Sequence, residues 1–344
     1  MKFIKPNFYD RFRCTAAACS DTCCAGWEID IDPDTKAYYE ELEGAFGERL
    51  REQIEELPDG MACFRLTDEE RCPFLTDDNL CEVIQTLGED GLCEICREHP
   101  RFYEQLGDRM EMGVGLCCEE ACRLLFEQTE PITFITTTVG ELSDAETVPD
   151  SGMRIFRLRD EAFHLVQDRS LPLRVRMHRL IDFGVRVHRE LLKKPAPADA
   201  VPGAAGNTRS ALLQVMEALE PYDDAWPDYV RLLDDASLEV NLDEVDGGYE
   251  NLLVYFLYRH FTRGVLEGNL SARVNFCAVS VWFIGLMNAR CLRDTGAFTP
   301  WDRIVCTKDY SKQVEYSAEN MQDMLRALHE SPAFSAENLK RLFG

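Results

Sequence analysis

A mainly α-helical protein, with an irregular cysteine-rich metal-binding module ahead of an α-helical domain, is the fold class predicted by three observations. Twelve of the fifteen cysteines lie in the first 122 residues, and only Cys277, Cys291 and Cys306 follow. Apolar residues in the second half recur at helical spacing. No internal repeat and no alternation of strands with helices interrupts that pattern.

Taken in order, residues 1–34 read as short and irregular and end in the turn signal Asp32-Pro33-Asp34. A helix is predicted over 35–57, where Tyr38, Leu42, Phe46, Leu50 and Ile54 recur every fourth position and Pro58-Asp59-Gly60 stops the run. Residues 61–118 read as loops and turns around cysteines, with a short helix over 82–87. Such a stretch buries little apolar surface by itself, so a metal is expected to hold it. A helix at 119–127, a threonine-rich extended segment at 132–139 after Pro131, and a polar linker at 140–151 complete the first part. The domains are therefore drawn as a metal-binding module over 1–130 and a helical domain over 151–344.

Helices are predicted in that domain at 153–168, 173–194, 208–219, 227–236, 248–266, 271–293, 315–330 and 335–342. Residues 195–206 read as a mobile Pro/Ala/Gly-rich loop. The apolar run 274–287 is too short to span a bilayer and reads as a buried core helix.

The formal net charge of −25 over 344 residues argues against a nucleic-acid partner, whose phosphates would be repelled. The start carries no apolar stretch long enough for a signal peptide, so a cytoplasmic location is expected, without membrane insertion. In that reducing setting fifteen cysteines are poorly explained by disulfides.

Position says more than number. The first group is Cys14, Cys19, Cys23 and Cys24, followed by Ala25-Gly26-Trp27; Cys72-Pro73-Phe74-Leu75 and Cys81 form the second. The third is Cys93-x-x-Cys96-Arg97-Glu98-His99-Pro100, and the fourth Cys117, Cys118 and Cys122. These eleven cysteines are the candidate metal ligands, with His99 a further one or a packing residue. Soft thiolates select zinc or iron–sulfur clusters. One structural zinc needs four ligands, and a zinc ribbon shows two CxxC knuckles where this chain has one. The adjacent pairs Cys23-Cys24 and Cys117-Cys118 suit a knuckle poorly, which favours iron–sulfur, a [4Fe–4S] cluster, with zinc as the alternative.

The cysteine groups, with the opening Phe8-Tyr9-Asp10-Arg11-Phe12-Arg13-Cys14, resemble the zinc- or iron-chelating cysteine-rich proteins. More closely they are similar to the flagellin lysine-N-methylase (FliB-like) family, whose C-terminal half Tyr255-Phe256-Leu257-Tyr258-Arg259-His260-Phe261 also fits. The resemblance implies S-adenosylmethionine-dependent methylation of flagellin lysines by an enzyme carrying an iron–sulfur cluster.

A nucleotide-type glycine turn is absent: Gly113-Val114-Gly115 runs straight into Cys117 and lacks the strand–turn–helix setting. A methyl donor would have to be held differently, with an iron–sulfur site as anchor rather than reagent. Arg259 would grip the cofactor carboxylate, with Tyr255, Tyr258 and His260 as catalytic candidates near the amine; the competing reading is a buried Arg/His pair packing in the core. Trp27 would stack on a ring or sulfonium, or serve the module's own core. Two other function classes compete: a zinc-braced interaction platform and an iron–sulfur redox protein.

Overall fold

Proline, glycine and short runs of alternating residues give way at about residue 150 to long helical patterns, and the chain builds two hydrophobic cores of unequal size accordingly. The computed structural model describes residues 1–58, 60–140, 150–194, 207–243 and 247–344. Seven strands are found among them: β1 (Lys2–Pro6), β2 (Asp30–Ile31), β3 (Ile54–Glu56), β4 (Ala62–Phe64), β5 (Arg101–Leu106), β6 (Arg109–Val114) and β7 (Phe134–Thr138). The shorter helices of the first part are α1 (Pro33–Glu41), α2 (Ala45–Glu52), α3 (Glu82–Leu87), α4 (Glu94–Glu98) and α5 (Glu119–Phe126). The second part is built from α6 (Asp150–Val166), α7 (Leu173–Leu192), α8 (Thr208–Glu217), α9 (Trp226–Leu233), α10 (Gly248–Leu266), α11 (Leu270–Thr295), α12 (Pro300–Tyr310), α13 (Ala318–Glu330) and α14 (Ala336–Phe343). The chain is mainly α, as its periodicity predicts.

The small core lies between the antiparallel sheet β2-β4-β3 and the loops around it. Tyr39, Phe64 and Phe74 are its centre, with the Phe64 and Phe74 rings edge to face at 5.1 Å. Here the structure differs from two sequence expectations. The single helix over 35–57 is two helices and a strand: Leu42 turns extended after α1, Gly44 takes φ +89° at the start of α2, and the absent side chain of Gly47 lets α2 fold back onto the Leu42 carbonyl. The stretch 61–118, read as loops, turns and one short helix that a metal would hold, contributes to an apolar core and to a β-hairpin.

That hairpin, β5–β6, belongs to a four-stranded sheet of order β5-β6-β1-β7, in which β1 runs parallel to β6 and antiparallel to β7. Strand β7 falls within the predicted extended segment 132–139. Of the polar linker predicted at 140–151, residues 141–149 lie outside the described residues and α6 begins at Asp150, earlier than expected; the Pro/Ala/Gly-rich loop at 195–206 also lies outside the described residues.

The large core packs this sheet against the helices. Helix α11 is apolar all round and central, as predicted for the run 274–287; it is long and apolar enough to cross a membrane, but its apolar window is entirely buried within the fold. Helix α10 lies against it and is tied to the sheet by polar groups. Tyr258 donates to the Ile4 carbonyl at 2.8 Å and accepts from the Met112 N–H at 3.2 Å. Arg159 of α6 forms a buried pair with Glu111 of β6 and donates to the Tyr258 carbonyl and Thr262 hydroxyl, each at 3.2 Å. These buried contacts fix α10 relative to the sheet, because breaking one leaves an uncompensated charge or donor.

Candidate active site

Helix α10 places Arg259 and His260 on the side facing the segment that follows α12. That segment does not run straight into the next helix. Residues Ser311–Glu315 form a π-helical turn, and α13 starts only at Ala318 after the Ser317 cap, so the helix predicted from residue 315 begins later. A π turn widens the helix by one residue and re-aims its side chains, and such turns recur at functional sites. Here it delivers Glu315, wholly buried, to α10.

The Glu315 carboxylate accepts from His260 Nε2 at 2.8 Å, Ser311 Oγ at 2.9 Å and Tyr255 Oη at 3.3 Å, and lies 3.6 Å from Arg259 Nη1. Arg259 Nη1 in turn donates to Tyr255 Oη at 2.7 Å. Burial pushes the Glu315 carboxyl up, but Arg259, His260 and Ser311 together outweigh it and hold the group below the ordinary carboxylate range. Burial drives His260 down to about 4 against the pull of Glu315, so at neutral pH the imidazole is uncharged and donates its Nε2–H to the carboxylate. Burial likewise keeps the Tyr255 phenol protonated.

Arg259 is clamped between two aromatic rings, with its guanidinium 4.8 Å from the Phe102 centroid and 4.8 Å from that of Tyr316. The rejected glycine pair explains how both rings fit. A Cβ at Gly113 would strike the Phe102 ring, and one at Gly115 the Tyr316 hydroxyl. Gly113-Val114-Gly115 is therefore a cradle for the arginine clamp rather than a phosphate loop. Phe102, Arg259, His260, Glu315 and Tyr316 line a cleft of about 830 Å³, whose outer walls are β5 and α13.

Four of the five predicted catalytic and cofactor residues meet α10, and they divide. Tyr255, Arg259 and His260 share the Glu315 network. Tyr258 also borders the cleft, with its hydroxyl spent on β1 and β6. Trp27 stands outside the cleft lining. It packs 6.0 Å from Tyr316, 5.8 Å from His99 and 5.8 Å from Tyr222, with Lys312 Nζ 5.6 Å above its ring, and Lys312 also pairs with Asp21. Sequence reasoning missed Phe102, Glu315 and Tyr316; the glycine pair was the signal for the two rings.

The candidate metal ligands gather into two groups. Cys24, Cys72, Cys81 and the pair Cys93 and Cys96 come from separate segments and are close enough to influence one another electrostatically. The Cys72 N–H donates to the Cys24 carbonyl at 2.8 Å, and Cys81 bridges to Leu75. A hydrogen bond from Cys23 lowers the Cys24 thiol below its ordinary value. Cys14, Cys19, Cys117, Cys118 and Cys122 gather at the start of α5, and the Cys23 thiol sits within the influence of Cys24, Cys14 and Cys118, between the groups. Burial raises Cys117 to about 12; it hydrogen-bonds Tyr316 and lies 3.7 Å from His99 Nε2. The donors have the chemistry of a soft-metal centre, yet among the described residues no three His, Cys, Asp or Glu side chains are arranged to hold a metal ion. The thiols assemble without closing a coordination shell.

Residues 205–342 match the FliB lysine N-methylase C-terminal domain family. A lysine-N-methylase of Salmonella typhimurium aligns at 26% identity over 148 residues, 39% of this chain and 35% of that protein. The flagellar biosynthetic protein FliU of Salmonella muenchen aligns at 29% over 129 residues, 34% of this chain and 72% of that protein. A lysine-N-methylase of Salmonella choleraesuis gives 26% over 148 residues. The chain thus spans about a third of the length of the lysine-N-methylases it matches. No solved structure matches it.

Proposed function

We propose that this chain, which these matches mark as FliB-like, methylates lysine side chains of flagellin with S-adenosylmethionine as donor. The observation that carries the reading is a coincidence of two findings. Tyr255, Arg259, His260, Glu315 and Tyr316 all fall inside the segment matched to the lysine N-methylase C-terminal domain, and together they line or support the cleft of about 830 Å³.

The cleft fits such a donor in its chemistry. Arg259 is held flat between Phe102 and Tyr316, and of its nitrogens only Nη1 takes part in the network with Tyr255 and Glu315 among the described residues. The remaining guanidinium nitrogens would pair with the donor's carboxylate. S-adenosylmethionine supplies an electrophilic methyl when bound. Glu315 acts as a positioning residue, holding Arg259 and His260 in place from beneath. A lysine amine must be neutral to attack, and its free pKa is about 10.4. The ammonium proton leaves to solvent through the open side of the cleft before the amine attacks.

The test is incubation of the purified chain with flagellin and S-adenosylmethionine carrying a labelled methyl group. Label on flagellin lysines, lost in Arg259→Ala, is the expected result. Unlabelled flagellin with folded protein would overturn the reading. Ligation of an iron–sulfur cluster by the two thiol groups belongs to the same proposal and requires the thiols to draw together; iron and sulfide content of anaerobically purified protein tests it, and zinc in their place selects the alternative.

A further inference from the structure

The sheet β5-β6-β1-β7 ends on β5, and nothing in the described structure covers that edge. The two-residue turn Gly107-Asp108 makes Leu106 and Arg109 the first hydrogen-bonded pair of the hairpin. By alternation, Arg101, Tyr103 and Gln105 turn their N–H and C=O groups away from β6. Among the described residues no backbone hydrogen bond reaches these groups from outside the hairpin.

The edge is continuous with the cleft. Phe102 and Glu104 point to the α10 side, where they meet Arg259 and Arg263, whereas Tyr103 points to the other face, toward Tyr9 and Glu98. A cleft lined by residues 102, 103 and 104 therefore reaches past the face to the strand's open edge. At the rim stand the carboxylates of Glu104 and Glu267, 26% and 46% exposed and paired with Arg263 and Arg273.

We propose that β5 is the docking edge for the substrate: an extended, lysine-bearing segment adds to it as a fifth strand, pairing with the outward groups of Tyr103 and Gln105. Its side chains level with Phe102 and Glu104 then enter the cleft on the Arg259 side, and the chain's net charge of −25 favours the approach of a lysine-bearing segment. This rests on the lysine-methylation reading and specifies how the same site takes a peptide.

The probe is a synthetic lysine-bearing peptide of flagellin, titrated without methyl donor while amide exchange is followed. Slowed exchange at Tyr103 and Gln105 is expected. Tyr103→Pro removes one outward N–H at an edge position that tolerates proline, and should weaken binding about tenfold, whereas Tyr103→Ala, which keeps the N–H, should not. If the proline variant does not fold, the same peptide N-methylated at alternate backbone positions replaces it on the unaltered protein and should lose binding by a similar factor. Binding without β5 protection, or binding indifferent to backbone methylation, overturns the proposal. So does protection that rises with protein concentration alone, which would assign the edge to a second copy of the chain. Methyl transfer is measured separately: protection without transfer keeps the docking edge and sinks the methylation reading, and transfer without protection does the reverse.

Discussion

Around Tyr39, Phe64 and Phe74 a few aromatic side chains close a core supplied by short strands and cysteine loops, whereas most of α10 and of α11 up to Asn288 is buried. The small core has little apolar surface to offset chain entropy and leans on local devices: the Asp32 cap, the Arg49–Glu82 pair and the Arg51 bonds to the Leu42 and Tyr39 carbonyls. The large core needs none of these to hold α11, and it can afford buried charge at Arg159–Glu111 and Arg259–Glu315. The difference teaches where chemistry is placed. The Arg259 network sits on the stiff side, and Tyr316 and Cys117 form the seam to the thiol-rich side.

The comparison can be broken most forcefully in the large core. Phe283→Ala, which empties a fully buried site, should cost about 3–5 kcal/mol and shift the urea midpoint of the whole chain. Phe74→Ala should cost about 3 kcal/mol, but hydrogen exchange should quicken in residues 29–96 and leave α11 protected. Equal quickening in α11 would mean the two cores unfold as one unit. At the seam, Arg259→Lys keeps the charge but loses the planar group held between Phe102 and Tyr316; methyl transfer should fall about 10- to 100-fold with the melting temperature nearly unchanged.

Acid offers a gentler probe. The folded pKa of His260, about 4, lies below its ordinary 6.5, so the unfolded chain takes up this proton first. Stability tied to this group is complete above pH 6.5 and falls as the pH drops toward 4, by no more than about 1.4 kcal/mol per unit. In His260→Gln the stability-versus-pH curve should flatten in that window; an unchanged slope would show that other groups carry it. Smallest is Asp32→Ala, which removes the α1 cap at Thr35 and the bond from the Glu94 N–H at 2.7 Å, and should cost about 1 kcal/mol, confined to the small core.

Much of the fold was legible because a helix that buries one face writes that face into its spacing. The helices predicted at 82–87 and 248–266 have the bounds found for α3 and α10, and those at 173–194 and 271–293 lie within two residues of α7 and α11. Helix α12 was not predicted, since Asp302, Arg303, Lys308 and Asp309 dilute its apolar face. The hairpin β5–β6 was hidden by charged residues alternating with Phe102, Met110 and Met112. Of the site, Tyr255, Arg259 and His260 could be singled out as polar groups on an apolar helix, where a buried polar side chain requires a partner.

The partner itself is what the sequence by itself did not determine. Glu315 lies 55 residues from His260, and only the π turn after α12 brings the two together. The cysteines tell the same story in reverse. Their residue type and crowding determined a soft-donor chemistry, but which thiols share a neighbourhood was decided by the path of the chain, with Cys24 beside Cys72 and Cys14 beside Cys118. Residue type and period are local properties; the convergence of distant segments depends on how two cores of different size pack at their seam.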